Sequence, residues 1–338
     1  MRSTLLPVLA LSAALLSRVA FAAATPAVPV AEPRELAPVM VSGVQPGPKL
    51  WKVTRGDHVL WVLGTLSPAP KRIEWTSREA ERAIVASGEV LLGARATVNA
   101  DIGLLRGALL LPKALKARNN PDGKTLRDVL PPRTYARWDV LRARYLGRDR
   151  GIEKRRPLFA AQELYSAAIR RAGLDEDNQV RPAVEKIARR HDVPVVIAEV
   201  KATVRDPKAA VRAFAGQSLD DVACFELTLD RLEADLAQMA ARANAWAIGD
   251  LETMQRLPYT DQGAACLAAV LDSSIARSQG LDALPAQVRT AWLDAAEKSL
   301  AAHPQSFALL PMAEILKPDG YLAALAARGY VVEAPTAP

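Results

Sequence analysis

Side chains able to do chemistry are sparse in this sequence. Three histidines and two cysteines in 338 residues leave few of the imidazole and thiolate ligands that suit zinc and similar metals. Ser67 ends the run Val59-Leu60-Trp61-Val62-Leu63-Gly64-Thr65-Leu66-Ser67, an apolar strand running into a glycine turn, as nucleophiles often do. It lacks the Gly-x-Ser-x-Gly elbow, and Pro68 directly after it has no backbone N–H to help form an oxyanion hole. No histidine is placed to serve as its base. Glu199 closes an apolar strand at residues 193–199, and Glu314 follows another at residues 306–310. Two carboxylates are hard oxygen ligands of the kind Mg²⁺, Ca²⁺ or Mn²⁺ accepts, although a third protein ligand is not evident. The histidines read as structural. His58 falls in an exposed Gly-Asp turn, His191 in the last turn of a helix where a cation complements the macrodipole, and His303 before Pro304 at the start of a strand.

The elements that would position these groups follow from periodicity and punctuation. Residues 50–54 and 59–64 read as a hairpin around Arg55-Gly56-Asp57-His58. A short amphipathic helix over residues 77–86, with Ser77 as N-cap, and a buried strand at Val90-Leu91-Leu92 complete a β-α-β start. Asp122-Gly123-Lys124-Thr125 looks like the end of a P-loop, but position 118 is arginine where the first glycine is required. Thr125-x-x-Asp128 reads instead as a capping box for a helix from Leu126. Helices dominate residues 126–172, broken at Pro131-Pro132 and at Arg156-Pro157, and another spans residues 182–191. Leu229, Leu232, Leu236, Met239, Ala243 and Trp246 predict one long helix with a packing seam. The chain closes with a strand at residues 306–310, the turn Lys317-Pro318-Asp319-Gly320, a helix over residues 321–328 stopped by Gly329, and the strand Tyr330-Val331-Val332.

Residues 1–24 carry Arg2, an apolar run too short to span a bilayer, and Ala20-Phe21-Ala22, the pattern of a secretory signal cleaved near Ala22 to Ala24. No later stretch reaches membrane-spanning length without charge, so a periplasmic or secreted protein without a transmembrane segment is expected. A Pro/Ala-rich leader follows over residues 25–49. In an oxidising compartment, Cys224 and Cys266 are expected to form one disulfide that staples a helical region. The formal charge is +7, with much of the excess between Arg133 and Arg156, where nine Lys/Arg meet Asp139, Asp149 and Glu153. That stretch reads first as a solvated helix face and second as a patch for an anionic envelope surface. Tyr135, Trp138, Leu141 and Tyr145 recur at helical spacing as its buried stripe, and export excludes nucleic acid as a partner.

Leu50-Trp51-Lys52-Val53, Asp57-His58-Val59-Leu60-Trp61-Val62-Leu63-Gly64-Thr65, Gly123-Lys124-Thr125-Leu126 and Pro157-Leu158 are followed by three further segments. These are Pro194-Val195-Val196-Ile197-Ala198-Glu199, Trp246-Ala247-Ile248-Gly249-Asp250, and Pro318-Asp319-Gly320-Tyr321-Leu322 with Arg328-Gly329-Tyr330-Val331-Val332. In order and spacing they resemble the TraB/GumN family, whose animal relatives are the Tiki proteins. The resemblance implies a site built on two Gly-x-x-His motifs and acidic residues near strand ends, with a divalent metal to polarise a carbonyl and activate water. It also implies that some relatives are metal-dependent peptidases. Position by position, this chain departs from that pattern. Ser67 stands at the first histidine, Pro311 at the second glycine, Glu314 at the second histidine, and Gly93 where a glutamate follows the second core strand. Val288-Arg289 stands for an Arg-Asn pair. Glu199 is the acidic position that matches, and Asp319 persists in a Pro-Asp-Gly turn that already explains it.

The expected fold is α/β, a mixed β-sheet built from N- and C-terminal β-α-β-like units with a large helical middle section, in one domain over residues 50–334. The expected function is that of an exported, catalytically degenerate homologue binding a peptide, a glycan or an envelope protein, with no cofactor. The alternative is a metal-dependent hydrolase or peptidase with a rebuilt carboxylate site at Glu199 and Glu314.

Overall fold

Residues 40–335, except 178, 217–220 and 258–261, are described by a computed structural model. The expected signal and residues 25–39 of the expected leader lie outside the described residues. Within the rest of that leader, β1 (Gly43–Gln45) pairs in parallel with β5 (Ile73–Trp75).

The hairpin forms where alternation and the Gly-Asp turn place it. In β2 (Trp51–Arg55), Trp51 and Val53 are buried, and β3 (His58–Thr65) returns antiparallel with His58 opposite Arg55. Gly56 supplies the positive φ of 62° that the turn requires. His58 differs from its expected exposure. It is half-buried, and its Nδ1–H donates to the Leu300 carbonyl at 2.5 Å, because the hairpin lies against the end of a later helix.

β4 (Ala69–Pro70) precedes β5, and α1 (Arg78–Val85) is N-capped by Ser77, whose hydroxyl accepts from the Ala80 N–H. The strand expected at Val90-Leu91-Leu92 is longer. β6 (Val90–Ala100) loses its buried pattern after Leu92, yet stays extended because its backbone pairs with a second long strand. α2 (Leu104–Lys116), α3 (Leu126–Val129) with its Thr125/Asp128 capping box, α4 (Pro132–Tyr145) and α5 (Pro157–Arg171) follow. Both proline breaks fall at helix starts, where a missing N–H costs nothing. β7 (Leu174–Asp175) pairs with β4, and α6 (Val180–Arg190) is capped at its C-terminal end by His191.

β8 (Val195–Val204) corrects the expectation of a strand ending on Glu199, which sits mid-strand opposite Arg95. After α7 (Pro207–Gly216), the expected long helix is two, α8 (Val222–Ala234) and α9 (Leu236–Ile248). The break is Asp235, whose carboxylate is held by two buried guanidiniums, Arg231 at 3.6 Å and Arg242 at 2.9 Å. α10 (Leu251–Arg256), α11 (Gln262–Leu271) and α12 (Ser274–Ser278) complete the helical section. Cys224 of α8 and Cys266 of α11 are disulfide-bonded, with Cα atoms 4.8 Å apart. The C-terminal run is α13 (Leu284–Ala302), β9 (Gln305–Pro311), α14 (Met312–Leu316), α15 (Tyr321–Ala327) and β10 (Val331–Glu333).

The fold is α/β. Its main sheet has six strands in the order β10-β2-β3-β9-β6-β8, antiparallel as far as β3 and parallel from β3 to β8. Its core holds Val53, Leu60, Val62, Leu63 and Leu91 from the strands, together with Trp246 and Trp292 from the helices. No helix among the described residues is long and apolar enough to cross a membrane.

Much of the basic stretch at residues 133–156 is used inside the fold rather than solvated. Arg137 pairs with Asp230 and Glu233 of α8, and the buried Arg142 pairs with Asp139 and Glu153. Arg156 is 2% exposed, and its guanidinium donates to the Ala117 carbonyl at 2.9 Å and the Phe214 carbonyl at 2.6 Å. It thereby ties the C-terminal ends of α2 and α7 together, where helix dipoles favour a cation.

Candidate functional site

The carboxyl ends of β3, β6 and β9 point the same way, and open parallel sheets bind ligands beyond such ends. A cleft of about 690 Å³ lies at the ends of β3 and β9, edged by Thr65, Pro311 and Gly93, the last near the start of β6. Its shape depends on a bulge in β6. The register with β8 slips between Leu91 and Ala94, and Gly93 takes a φ of +89° that a side chain would strain. The position where the family resemblance implies a glutamate is therefore occupied by a residue that bends the strand.

α13 and the α14–α15 turn supply the charged wall. The Arg289 guanidinium stands 5.2 Å over the Tyr321 ring and donates to the Asp319 carbonyl at 2.6 Å and the Gly320 carbonyl at 3.2 Å. Tyr321 in turn meets the Trp292 ring edge-on, with centroids 4.9 Å apart. Burial first, and then the Glu314 carboxylate, push the Tyr321 hydroxyl above its ordinary range. Trp292 is fully buried, and its Nε1–H has no hydrogen-bond partner among the described residues. Arg181 and Lys317 also line the cleft, ion-paired at 3.1 Å with Glu185 and at 3.8 Å with Asp319 respectively.

The structure does not gather Ser67, Glu199 and Glu314 into one site. Glu314 lines the cleft from α14, whereas neither of the others does. The exposed Ser67 hydroxyl donates to the Glu176 carbonyl at 2.9 Å, which ties the turn after β3 to the segment after β7. Glu199 accepts from the Thr97 hydroxyl at 2.6 Å and from Arg95 at 3.1 Å, and these contacts, Thr97 first, hold its carboxyl below the usual range. His303 lies beside Gly88, with Nε2 3.8 Å from the Glu89 carboxylate.

These donors do not fit the divalent metal that the family resemblance implies. Glu314 is the one carboxylate among the described lining residues, and three cations share its walls. Among the described residues, no group of three or more His, Cys, Asp or Glu is arranged to hold a metal ion. Glu199 is not among the described residues that line the cleft with Glu314. Sequence reasoning missed Arg181, Trp292, Lys317 and Tyr321. The helix carrying Trp292 was not among the elements read from the sequence, and nothing in the spacing of Leu284, Trp292, Leu293, Ala296 and Leu300 marks an indole as lining a cleft.

A model of the TraB/PrgY/gumN family matches residues 49–334. No curated protein and no solved structure matches the chain.

Proposed function

Since the chain belongs to the TraB/PrgY/gumN family, we propose that it is an exported, catalytically degenerate member that uses the inherited cleft to bind a carboxylate-bearing peptide or glycan of the cell envelope. One observation carries this reading. The cleft's described lining holds three cations, Arg181, Arg289 and Lys317, against one carboxylate, Glu314, where the metal-dependent hydrolysis that the family resemblance implies would need clustered metal ligands. Such a wall favours acceptors and negative charge on the ligand, and arginine matches a carboxylate with two parallel hydrogen bonds. The signal-like residues 1–24 support export to a periplasmic or extracellular setting.

Metal analysis of the purified protein is the first test. Native protein, Glu199→Ala and Glu314→Ala are expected to carry no stoichiometric metal and to fold alike. Stoichiometric bound metal lost in both variants would instead refute this reading in favour of a rebuilt carboxylate metal site. The second test follows tryptophan emission during titration with a short peptide bearing a free C-terminal carboxylate. A saturable change, absent with the amidated peptide and weakened in Arg181→Glu, is expected. Equal responses to both peptides would refute the carboxylate recognition.

A further inference from the structure

Helix α2 and its surroundings show two features that the cleft does not use. The first is apolar. Leu105, Leu109, Leu111 and Leu115 are 85%, 77%, 57% and 50% exposed. At 100° per residue they share one broad side of α2 with the exposed Ala108 and Pro112. Exposed apolar residues are normal when scattered singly, but four leucines on one helix face form a patch that marks an interaction.

The second feature is electrostatic. Alongside that face, between α2, α7 and the turns near residues 119–124 and 154, lies a cavity of about 710 Å³. Lys113 and Lys116 come from α2, Lys208 and Arg212 from α7, and Lys124 and Lys154 from the turns. All six are exposed, and none makes an ion pair among the described residues. Asp122 is the one carboxylate in the described lining. The cavity is built rather than incidental, because the buried Arg156 binds the carbonyls of Ala117 and Phe214 and so fixes α2 against α7.

We propose that α2 and this cavity dock the protein onto an anionic lipid surface. The leucines enter the boundary between headgroups and acyl chains, and the six cations take the headgroup phosphates. This is the division of labour of an interfacial amphipathic helix, in which apolar burial and attraction to anionic lipid act together. Charge selects this occupant over the others. A second copy packed leucine face to leucine face would bring two sets of six cations together. A soluble anion would use the cations and leave the leucines exposed.

The test is co-sedimentation of the full chain with vesicles of phosphatidylcholine alone and of phosphatidylcholine mixed with phosphatidylglycerol. Binding is expected to the mixed vesicles, to weaken as ionic strength rises, and to be negligible on phosphatidylcholine. Lys113→Glu with Lys116→Glu should weaken it roughly tenfold or more, and Leu105→Ser with Leu109→Ser should weaken it as well. All four positions are exposed, and the salt dependence of the native protein tests the proposal without any substitution. Absent or salt-independent binding, equal binding to both vesicles, or binding unchanged in either double variant would overturn it. So would calorimetric binding of inorganic pyrophosphate without vesicle binding, which makes the cavity a soluble-anion site. A dimer abolished by the leucine substitutions would overturn it in favour of self-association.

Discussion

A Cβ placed on Gly64 would overlap the Sδ of Met312, so α14 can sit on the end of β3 only because that residue has no side chain. The Gly64 carbonyl also accepts from Trp246 Nε1 at 2.9 Å, joining the strand end to α9. The glycine of the first family motif thus has a packing duty that persists with Ser67 in the histidine position. Gly64→Ala is expected to cost about 1–3 kcal/mol by overpacking, measured by denaturant unfolding. Adding Met312→Ala should give a combined loss smaller than the sum of the two single losses, because the clash partner is removed. The identities at positions 64, 67 and 314 were legible in the sequence, as was the loss of the imidazoles. The destinations of the side chains were not. Ser67 bonds a carbonyl at residue 176, and a contact between distant segments leaves no periodic trace.

At the scale of elements, the parallel ribbon of β6 and β8 continues beyond the part of the sheet shared with β9, with Ala94 to Ala100 facing Ala198 to Val204. Glu199 joins its two strands through Thr97 and Arg95. Its folded carboxyl titrates below the ordinary glutamate value of 4.5, so its stabilising contribution is complete above that pH and disappears as pH falls through the depressed value. The stability gap between native protein and Glu199→Gln is therefore expected to be open at pH 7 and to close in acid. Denaturant midpoints across that range check it, and a gap that widens on acidification would contradict the assignment. Apolar runs announced the buried halves of these strands, but their exposed halves are held by backbone pairing, which composition does not signal. The hairpin, the Ser77 cap and the Thr125 capping box were readable because their causes lie within a few residues. The break at Asp235 was not, because it depends on Arg231 and Arg242 being buried around one carboxylate.

Across the whole molecule, the sequence correctly divided a sheet made largely from the chain's ends from a helical middle. It also paired Cys224 with Cys266, since only two cysteines were present. That bond closes a loop with a sequence separation of 42, for which chain entropy predicts about 4 kcal/mol of stabilisation. Reduction should lower the unfolding free energy by about that amount, and Cys224→Ser with Cys266→Ser should reproduce the loss without reductant. What the sequence did not reveal was the lateral order of the strands, in which β9 lies between β3 and β6 and β10 closes the outer edge. That order has a consequence in time. The first hairpin made is the last to be enclosed, since β3 waits for residues 305–311 and β2 for residues 331–333. A chain leaving the ribosome must keep Val53, Leu60 and Val62 uncovered until elongation is nearly over, because such distant pairings form only when both partners exist. For most of its synthesis the first hairpin therefore has no partner strand at either edge.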